Sequence, residues 1–449
     1  MSGDAGTGKH VSACSGPADF GRFVRAHGGS RALVVQPRMG FGTPAEMRTG
    51  LLATKYADAR TVGTITLDSY TRVGELGAVD RALRDGMALN GYPLVTHDRA
   101  TTTAVLAGIV DAGFPVQVRH GSAVPHDIFA ALVAMRMNAT EGGPVSYCLP
   151  YGRTALAQSV RNWAECAERF AGLREFGVEP HLETFGGCLL GQLCPPSQLV
   201  AMSVLEALFF FAHGIRSLSV SYAQQTNLDQ DVEAVFALRR LCAELLPVEN
   251  WHVVIYAYMG LYPTTDAGAY RLLGQAAELA VTTGSERMIV KTVAESRRIP
   301  TIGENVAALE HASAAGTAAA PGGGPPEGDS QTYREAAALV EAVLNLDEDI
   351  GRALLTAFAR GYLDIPYCLH PDNRGRTRSY LDEQGRLQWA DLGSLPLSPV
   401  VRSGRGRRVT SSSLLADLSY MQRKFDSPWP DSGRGPARSV RTGQRGVGR

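Results

Sequence analysis

The chain has 449 residues, enough for one large domain with an appendage or for two domains. Charged residues make up 20% and the formal net charge is zero, which argues against nucleic acid or a membrane surface as a partner. Seven scattered cysteines, none in CxxC spacing, fit reduced cytosolic thiols and carry no zinc signature, so no metal site is expected.

Residues 1–29 read as a disordered N-terminus. MSGDAGTGKHVSACSG lacks the apolar core of a secretion signal, so a cytoplasmic protein is expected. Gly3, Gly8 and Lys9 imitate a phosphate-binding loop, but His10 stands where Ser or Thr should be and no strand precedes it. From residue 30 the chain alternates short β-like runs with helical stretches. The candidate strands are ALVVQPR (32–38), TVGTITLD (61–68), YPLVTH (92–97), PVQVRHG (115–121), VSYCLPY (145–151), PHLETFG (180–186), LSVSYAQ (218–224), WHVVIYAY (251–258) and RMIVKT (287–292). Helices are predicted over 155–173, 197–213, 229–245 and 266–282, among others.

Roughly eight βα repeats over about 270 residues favour a closed (β/α)8 TIM-type barrel, assigned to residues 30–311, over an open sheet. Nine candidates for eight strands mean that at least one lies elsewhere. The most apolar run, LVAMSVLEALFFFAHGI (199–215), is interrupted by Glu206 and is short for a span, so it reads as a buried helix. Residues 312–331 are Ala/Gly/Pro-rich and read as a flexible linker. Residues 332–400 read as a smaller C-terminal α+β extension, helical and then a hairpin at SYLDEQGRLQWADLG. Residues 401–449 read as a basic, disordered tail.

Polar residues gather at the C-terminal ends of the candidate strands: Arg38, Asp68 with Arg72, His97, Arg119 with His120, and Lys291. A barrel keeps its active site on that face. Three arginines converging at one mouth would repel by roughly 3 kcal/mol per pair at about 5 Å and an effective dielectric near 20, so they call for an anionic guest. Guanidinium forks suit carboxylates, which makes a dicarboxylate the natural one. Glu141 would face an ammonium, with Tyr147 and Tyr151 as donors beside it. No GxSxG elbow, HExxH pair or GxGxxG turn completes a conventional catalytic set, so the demanding chemistry is expected from a cofactor or a partner.

QPRMG, TITLDSYTR, NGYPLV, QVRHG, TEGGPVSYCLPY, LCPPS, MGLYP, MIVKT followed by Glu295 and IPT, and LDIP stand in this order over roughly residues 30–400. In them the chain resembles the epsilon subunit of glutamate mutase, also called methylaspartate mutase. The resemblance implies a (β/α)8 barrel working with adenosylcobalamin that is carried mainly by a small sigma subunit. It also implies an epsilon homodimer in a sigma2-epsilon2 assembly, interconverting L-glutamate and (2S,3S)-3-methylaspartate by radical rearrangement. Carried over by motif, it places Arg38, Arg72 and Arg119 on the substrate carboxylates and Glu141 at the amino group as a base. His120, Tyr147 and Tyr151 become further substrate contacts, and Gly40, Asn90, Pro150, Tyr262, Lys291, Glu295 and Ile299 the cofactor face. Cobalamin-carrying domains use a D-x-H-x-x-G loop, and none of the ten histidines here has Asp two residues before it, so a separate sigma chain is expected. The sequence departs from the family after Arg38, at Tyr262 (a phenylalanine in the family) and in the 312–331 stretch. A related mutase acting on another amino or dicarboxylic acid, and a non-catalytic barrel that binds a dicarboxylate, are the competing expectations.

Overall fold

A computed structural model describes residues 18–29, 32–320, 322–325, 327–401 and 408–428. Its centre is a ring of eight parallel strands: β1 (Val34–Gln36), β2 (Gly63–Thr66), β3 (Val116–Arg119), β4 (Ala139–Gly142), β5 (His181–Thr184), β6 (Ser217–Ala223), β7 (Trp251–Tyr256) and β8 (Arg287–Ile289). They pair in the order β1-β8-β7-β6-β5-β4-β3-β2. A single bridge, Val35 to Thr61, closes the ring just ahead of β2, with the Val35 N–H donating to Arg60 O at 2.8 Å. The expected (β/α)8 barrel is the observed fold.

Two expected strands are not strands. The 92–97 run makes one bridge, Tyr92 to Leu67, and the 145–151 run is a succession of turns. The strand missing from the prediction is β4, whose Ala-Thr-Glu-Gly sequence has little β-propensity of its own and is held by pairing with β3 and β5.

Strands of a closed barrel are covered on both faces, the outer one by apolar helices. The helix Pro196–Ala212 is buried along almost its whole length, Glu206 included. Among the described residues no helix is long and apolar enough to cross a membrane. The inner face is polar at both ends. Arg287, Gln36, Gln117, Glu183, Ser219 and His252 are fully buried inside the ring, tied by Arg287–Glu183 and by Gln117 Nε2 to Glu183 Oε2 at 3.1 Å. The expectation that polar residues mark only the C-terminal ends is therefore too simple, because Arg287 and His181 open their strands.

The disordered N-terminus expected over 1–29 is replaced, from residue 20, by the helix Phe20–His27. Asp19 caps it, and it presses Phe20, Phe23 and Val24 onto Val34, Val62 and Ala139. That helix seals the N-terminal mouth. Residues 1–17, with the phosphate-loop imitation, lie outside the described residues. Residues 312–318 of the expected 312–331 linker are helical, because the helix Ile302–Ala318, with its Thr301–Glu304 capping box, runs into the alanine-rich stretch. The C-terminal extension follows as the helices Gln331–Leu344 and Ile350–Arg360 and the hairpin β9 (Arg378–Leu381) with β10 (Leu387–Asp391). Within the expected disordered tail, residues 411–418 and 420–426 are helical. Met421 and Phe425, one turn apart, bury themselves against Tyr258, Tyr262, Ala269 and Leu272. Asp426 accepts from the N–H and hydroxyl groups of both Thr264 and Thr265, which binds this segment to the loop after β7.

Candidate active site

β3 ends on Arg119, whose side chain turns into the barrel because its position alternates with Val118. β4 brings Glu141 alongside. Arg119 Nη2 lies 2.8 Å from Glu141 Oε2, both side chains are at most 5% exposed, and the Arg119 guanidinium sits 5.0 Å over the Tyr256 ring. The Tyr147 hydroxyl donates to Glu141 Oε1, and the Tyr256 hydroxyl bonds Glu141 Oε2 at 2.7 Å and also Glu183 Oε1. Burial, then the Glu141 carboxylate, shapes the Tyr147 phenol, and both push it well up from its ordinary value. Burial works against the charge of Arg119, but Glu141 and the neighbouring phenols and carboxylate hold it firmly protonated.

His120 follows Arg119 and stacks on Trp163 with ring centroids 5.7 Å apart at 15°. Its Nδ1 accepts the Ser122 N–H at 3.1 Å, which assigns the proton to Nε2. Burial, then Arg72 and Arg119, pushes the imidazole down to about 3, so it is a neutral donor. Asp68 starts the short helix Ser69–Arg72, accepting from Tyr70 N at 3.0 Å and Thr71 N at 2.9 Å, and this turn presents Arg72 beside His120. Three buried nitrogens of these residues have no partner: Arg72 Nε, Arg119 Nη1 and His120 Nε2. Two of the three belong to guanidinium groups, the kind of donor that suits a carboxylate.

Arg38, the third arginine, pairs with Glu295 at 3.0 Å, and Lys291 Nζ lies 3.1 Å from the same carboxylate. Two of the three expected claw arginines are thus held by carboxylates of this chain, and Arg72 has no such partner among the described residues. Burial pulls the Lys291 ammonium down to about 8 against the opposite pull of Glu295. Lys291 also sits 5.2 Å over the Tyr262 ring, whose hydroxyl is buried without a partner. Arg38, Gly40, Thr66, Asn90, Glu295 and Ile299 line an adjoining cleft of about 530 Å³. Of the expected cofactor face, Gly40, Asn90, Glu295 and Ile299 are in this cleft, Lys291 and Tyr262 lie behind Glu295, and Pro150 lies in the 145–151 turns outside it. Tyr151 stands apart from the hydrogen-bonded cluster, 55% exposed on the rim with its ring 6.4 Å from Phe185. His97 packs on Tyr92 instead of joining the cluster.

Tyr256, Glu183 and Trp163 were not anticipated. Tyr256 and Glu183 occupy inward positions near the C-terminal ends of β7 and β5, so the alternation that exposed Arg119 was also available for them. Trp163 lies on a helix and carried no comparable pointer.

The model for the family described as "Methylaspartate mutase E chain (MutE)" matches residues 18–416. A glutamate mutase epsilon subunit from Yersinia enterocolitica is 30% identical over 381 residues, covering 81% of this chain and 78% of its own. One from Halobacterium salinarum is 30% identical over 388 residues, covering 84% of this chain and 81% of its own. Solved structures align more weakly: tryptophan synthase from M. tuberculosis has a TM-score of 0.35 at 14% identity over 66% of this chain and 96% of its own, which carries no argument. With the family model spanning the whole barrel, the mouth cluster and most of the C-terminal extension, the chain belongs to the methylaspartate mutase E chain family.

Proposed function

We propose that this chain is the epsilon-type, substrate-holding subunit of an adenosylcobalamin-dependent glutamate mutase. It would interconvert L-glutamate and (2S,3S)-3-methylaspartate with a cobalamin-carrying sigma partner, in a sigma2-epsilon2 assembly. The observation that carries the reading is the buried Arg119–Glu141–Tyr147–Tyr256 cluster beside three unpartnered donors on Arg72, Arg119 and His120. Cationic donors and a buried carboxylate close together fit an amino dicarboxylate better than a simple dianion, because Glu141, although paired with Arg119, would repel a further anion and attract an ammonium.

The residues also fit the cofactor's nucleoside part. The cleft is of nucleoside scale, and Thr66 within it and Tyr262 beside it offer buried, unpartnered hydroxyls. Lys291, Glu295 and Asn90 would hold the sugar and base there. Adenosylcobalamin, when bound, supplies hydrogen-atom abstraction by a carbon radical. The work of this chain is to bind and orient the substrate. Arg119, Arg72 and Arg38 grip its carboxylates, and Glu141 takes or holds a proton at its amino group. The sealed bottom and the aromatic side chains packed against Tyr147, namely His120, Trp163 and Phe185, would exclude water. The glycyl fragment then moves between adjacent carbons as a hydrogen moves the opposite way.

Val73, Met87, Val124, Tyr151, Leu261 and Ile299 are exposed on the segments that follow β2, β3, β4, β7 and β8. An apolar rim around a polar mouth supports a protein partner on this face. The test is to combine the chain with a sigma-type subunit, adenosylcobalamin and glutamate and to assay 3-methylaspartate. Product that requires all four components is expected. A complex that binds cofactor yet leaves glutamate unchanged would overturn the substrate assignment.

A further inference from the structure

Glu206 interrupts the almost wholly buried helix Pro196–Ala212 and is itself fully buried, yet it belongs to no part of the cluster around Arg119. Among the described residues no cation pairs with it. Its carboxylate is instead filled by donors from two strand ends. Oε1 accepts the N–H groups of Ser146 at 2.9 Å and Val145 at 3.3 Å. Oε2 accepts the Ser146 hydroxyl at 3.0 Å and the Phe185 N–H at 3.3 Å. Burial pushes the carboxyl up to about 7, against the downward pull of these donors.

A buried carboxylate without a counter-charge is costly, and packing alone does not call for one, since leucine or methionine would fill the same helix position. What the carboxylate does that they would not is satisfy buried backbone N–H groups of the turns after β4 and of the end of β5. Gly143 is a second, independent observation. A Cβ there would fall 2.0 Å from Glu206 Oε1, so the glycine is what allows the carboxylate to reach the backbone beyond it. The same turn is closed by Tyr147 N–H to Gly143 O at 3.2 Å, and Tyr147 is the residue whose hydroxyl holds Glu141.

We propose that Glu206 is a positioning residue of the site: it pins the 143–147 turn, and the turn in turn fixes the Tyr147 hydroxyl on Glu141. The catalytic part of this inference rests on the function proposed above; the pinning itself does not. Glu206 touches no substrate atom. Its role is to set the direction of the Glu141 carboxylate from behind the barrel wall, leaving the arginine grip on the substrate's carboxylates untouched.

The experiment compares wild type, Glu206→Gln and Gly143→Ala as full-length chains. Hydrogen exchange is measured over 143–149, and kcat and KM for glutamate are measured in the reconstituted complex. Glu206→Gln keeps the shape but turns an NH2 toward backbone N–H donors, and Gly143→Ala pushes the carboxylate off the turn while keeping its chemical identity. Both are expected to speed exchange in this peptide by about tenfold or more, with exchange in β7 unchanged. Both should lower kcat at least about tenfold with KM within about threefold, because the carboxylate grip is intact. If Glu206→Gln fails to fold, Ser146→Ala removes one of the four donors and should show the same pattern at smaller size. Unchanged exchange in the 143–149 peptide would overturn the pinning, and faster exchange with unchanged kcat would overturn the positioning role. If the wild type leaves glutamate unconverted, the functional reading fails, while the exchange comparison still decides whether Glu206 pins the turn.

Discussion

Tyr256 has one hydroxyl proton and two carboxylate neighbours. Its oxygen lies 2.7 Å from Glu141 Oε2, bonds Glu183 Oε1, and receives the Arg119 Nη2 proton at 3.2 Å. Tyr256→Phe would leave two buried carboxylates about 5 Å apart with no hydroxyl proton to share, a repulsion of roughly 3 kcal/mol at an effective dielectric near 20. Stripping a buried hydrogen-bond partner costs about 1–3 kcal/mol by itself, so the two views of the same loss agree in size. Arg119 and Arg287 remain and cap the damage, so the expected destabilisation is about 3 kcal/mol. At about 2.1 cal/mol/K of unfolding entropy per residue over roughly 400 ordered residues, that lowers the thermal midpoint by about 3–4 °C. The pH dependence follows in sign. Burial pushes the Glu183 carboxyl up, but Arg287, Arg119 and the Tyr256 hydroxyl together hold it below its ordinary value, and losing the hydroxyl removes part of that hold. A depressed carboxyl contributes stability that is present above its unfolded value and lost as the pH falls through the folded one, so the deficit of the variant is full at neutral pH and shrinks as the pH falls through the carboxyl range. Thermal scans of both proteins at about pH 8 and about pH 3 read this directly. A gap of equal size at both pH values, or a variant as stable as wild type at the higher one, would refute the shared-proton account.

Three further outcomes are expected. Arg119→Lys should cut kcat/KM for glutamate by about 30-fold or more, since a lysine cannot keep one nitrogen on Glu141 and present a second to the substrate, and a charged hydrogen bond is worth about 1.5–3 kcal/mol; turnover close to wild type would remove Arg119 from the grip. Lys291, at about 8, should give ligand binding a basic limb near that pH, absent in Lys291→Met. Because its folded value is depressed from 10.5, the unfolded chain keeps the proton longer, so wild type should gain stability relative to Lys291→Met as pH rises from about 8 to 10.5. A limb that persists in the variant, in isothermal binding titrations, would assign it elsewhere. Asp426→Ala should release the C-terminal segment from Thr264 and Thr265, speeding proteolysis after residue 408 and weakening cofactor capture severalfold. Protease resistance equal to wild type would show that Met421 and Phe425 suffice.

The barrel was legible because alternating β-like runs and amphipathic helices recur along most of its length, and its strand-end residues Arg119, His120 and Lys291 stand out against apolar neighbours. β4 was not. Ala139 to Gly142 is four residues with a single β-branched side chain, and its strand character comes from neighbours on both sides. The 145–151 run looked extended because it alternates, yet Gly142 and Gly143 and the buried Glu206 carboxylate fold it into turns. The expected strand at 145–151 put Glu141 ahead of a strand, whereas Glu141 lies within β4, the strand that precedes those turns. Tyr256 and Glu183 were hidden by the same apolar runs that identified β7 and β5, since one inward polar residue does not disturb a strand pattern. The 420–426 helix was masked by composition: two apolar residues four apart in a Ser/Arg-rich stretch carry little periodicity, and only the β7 loop gives them something to bury against.

The helix Phe20–His27 has a kinetic consequence. With Phe20, Phe23 and Val24 wedged into the lower end of the ring, the barrel is a vessel with one door. A ligand held at Glu141 has the C-terminal opening as its way in and out, so the partner proposed for that face would act as its gatekeeper. With such a cover in place, arriving substrate would wait for it to lift. Arrival and departure would then follow a fixed queue, with the residence time of the cover setting a ceiling on how fast successive molecules pass through.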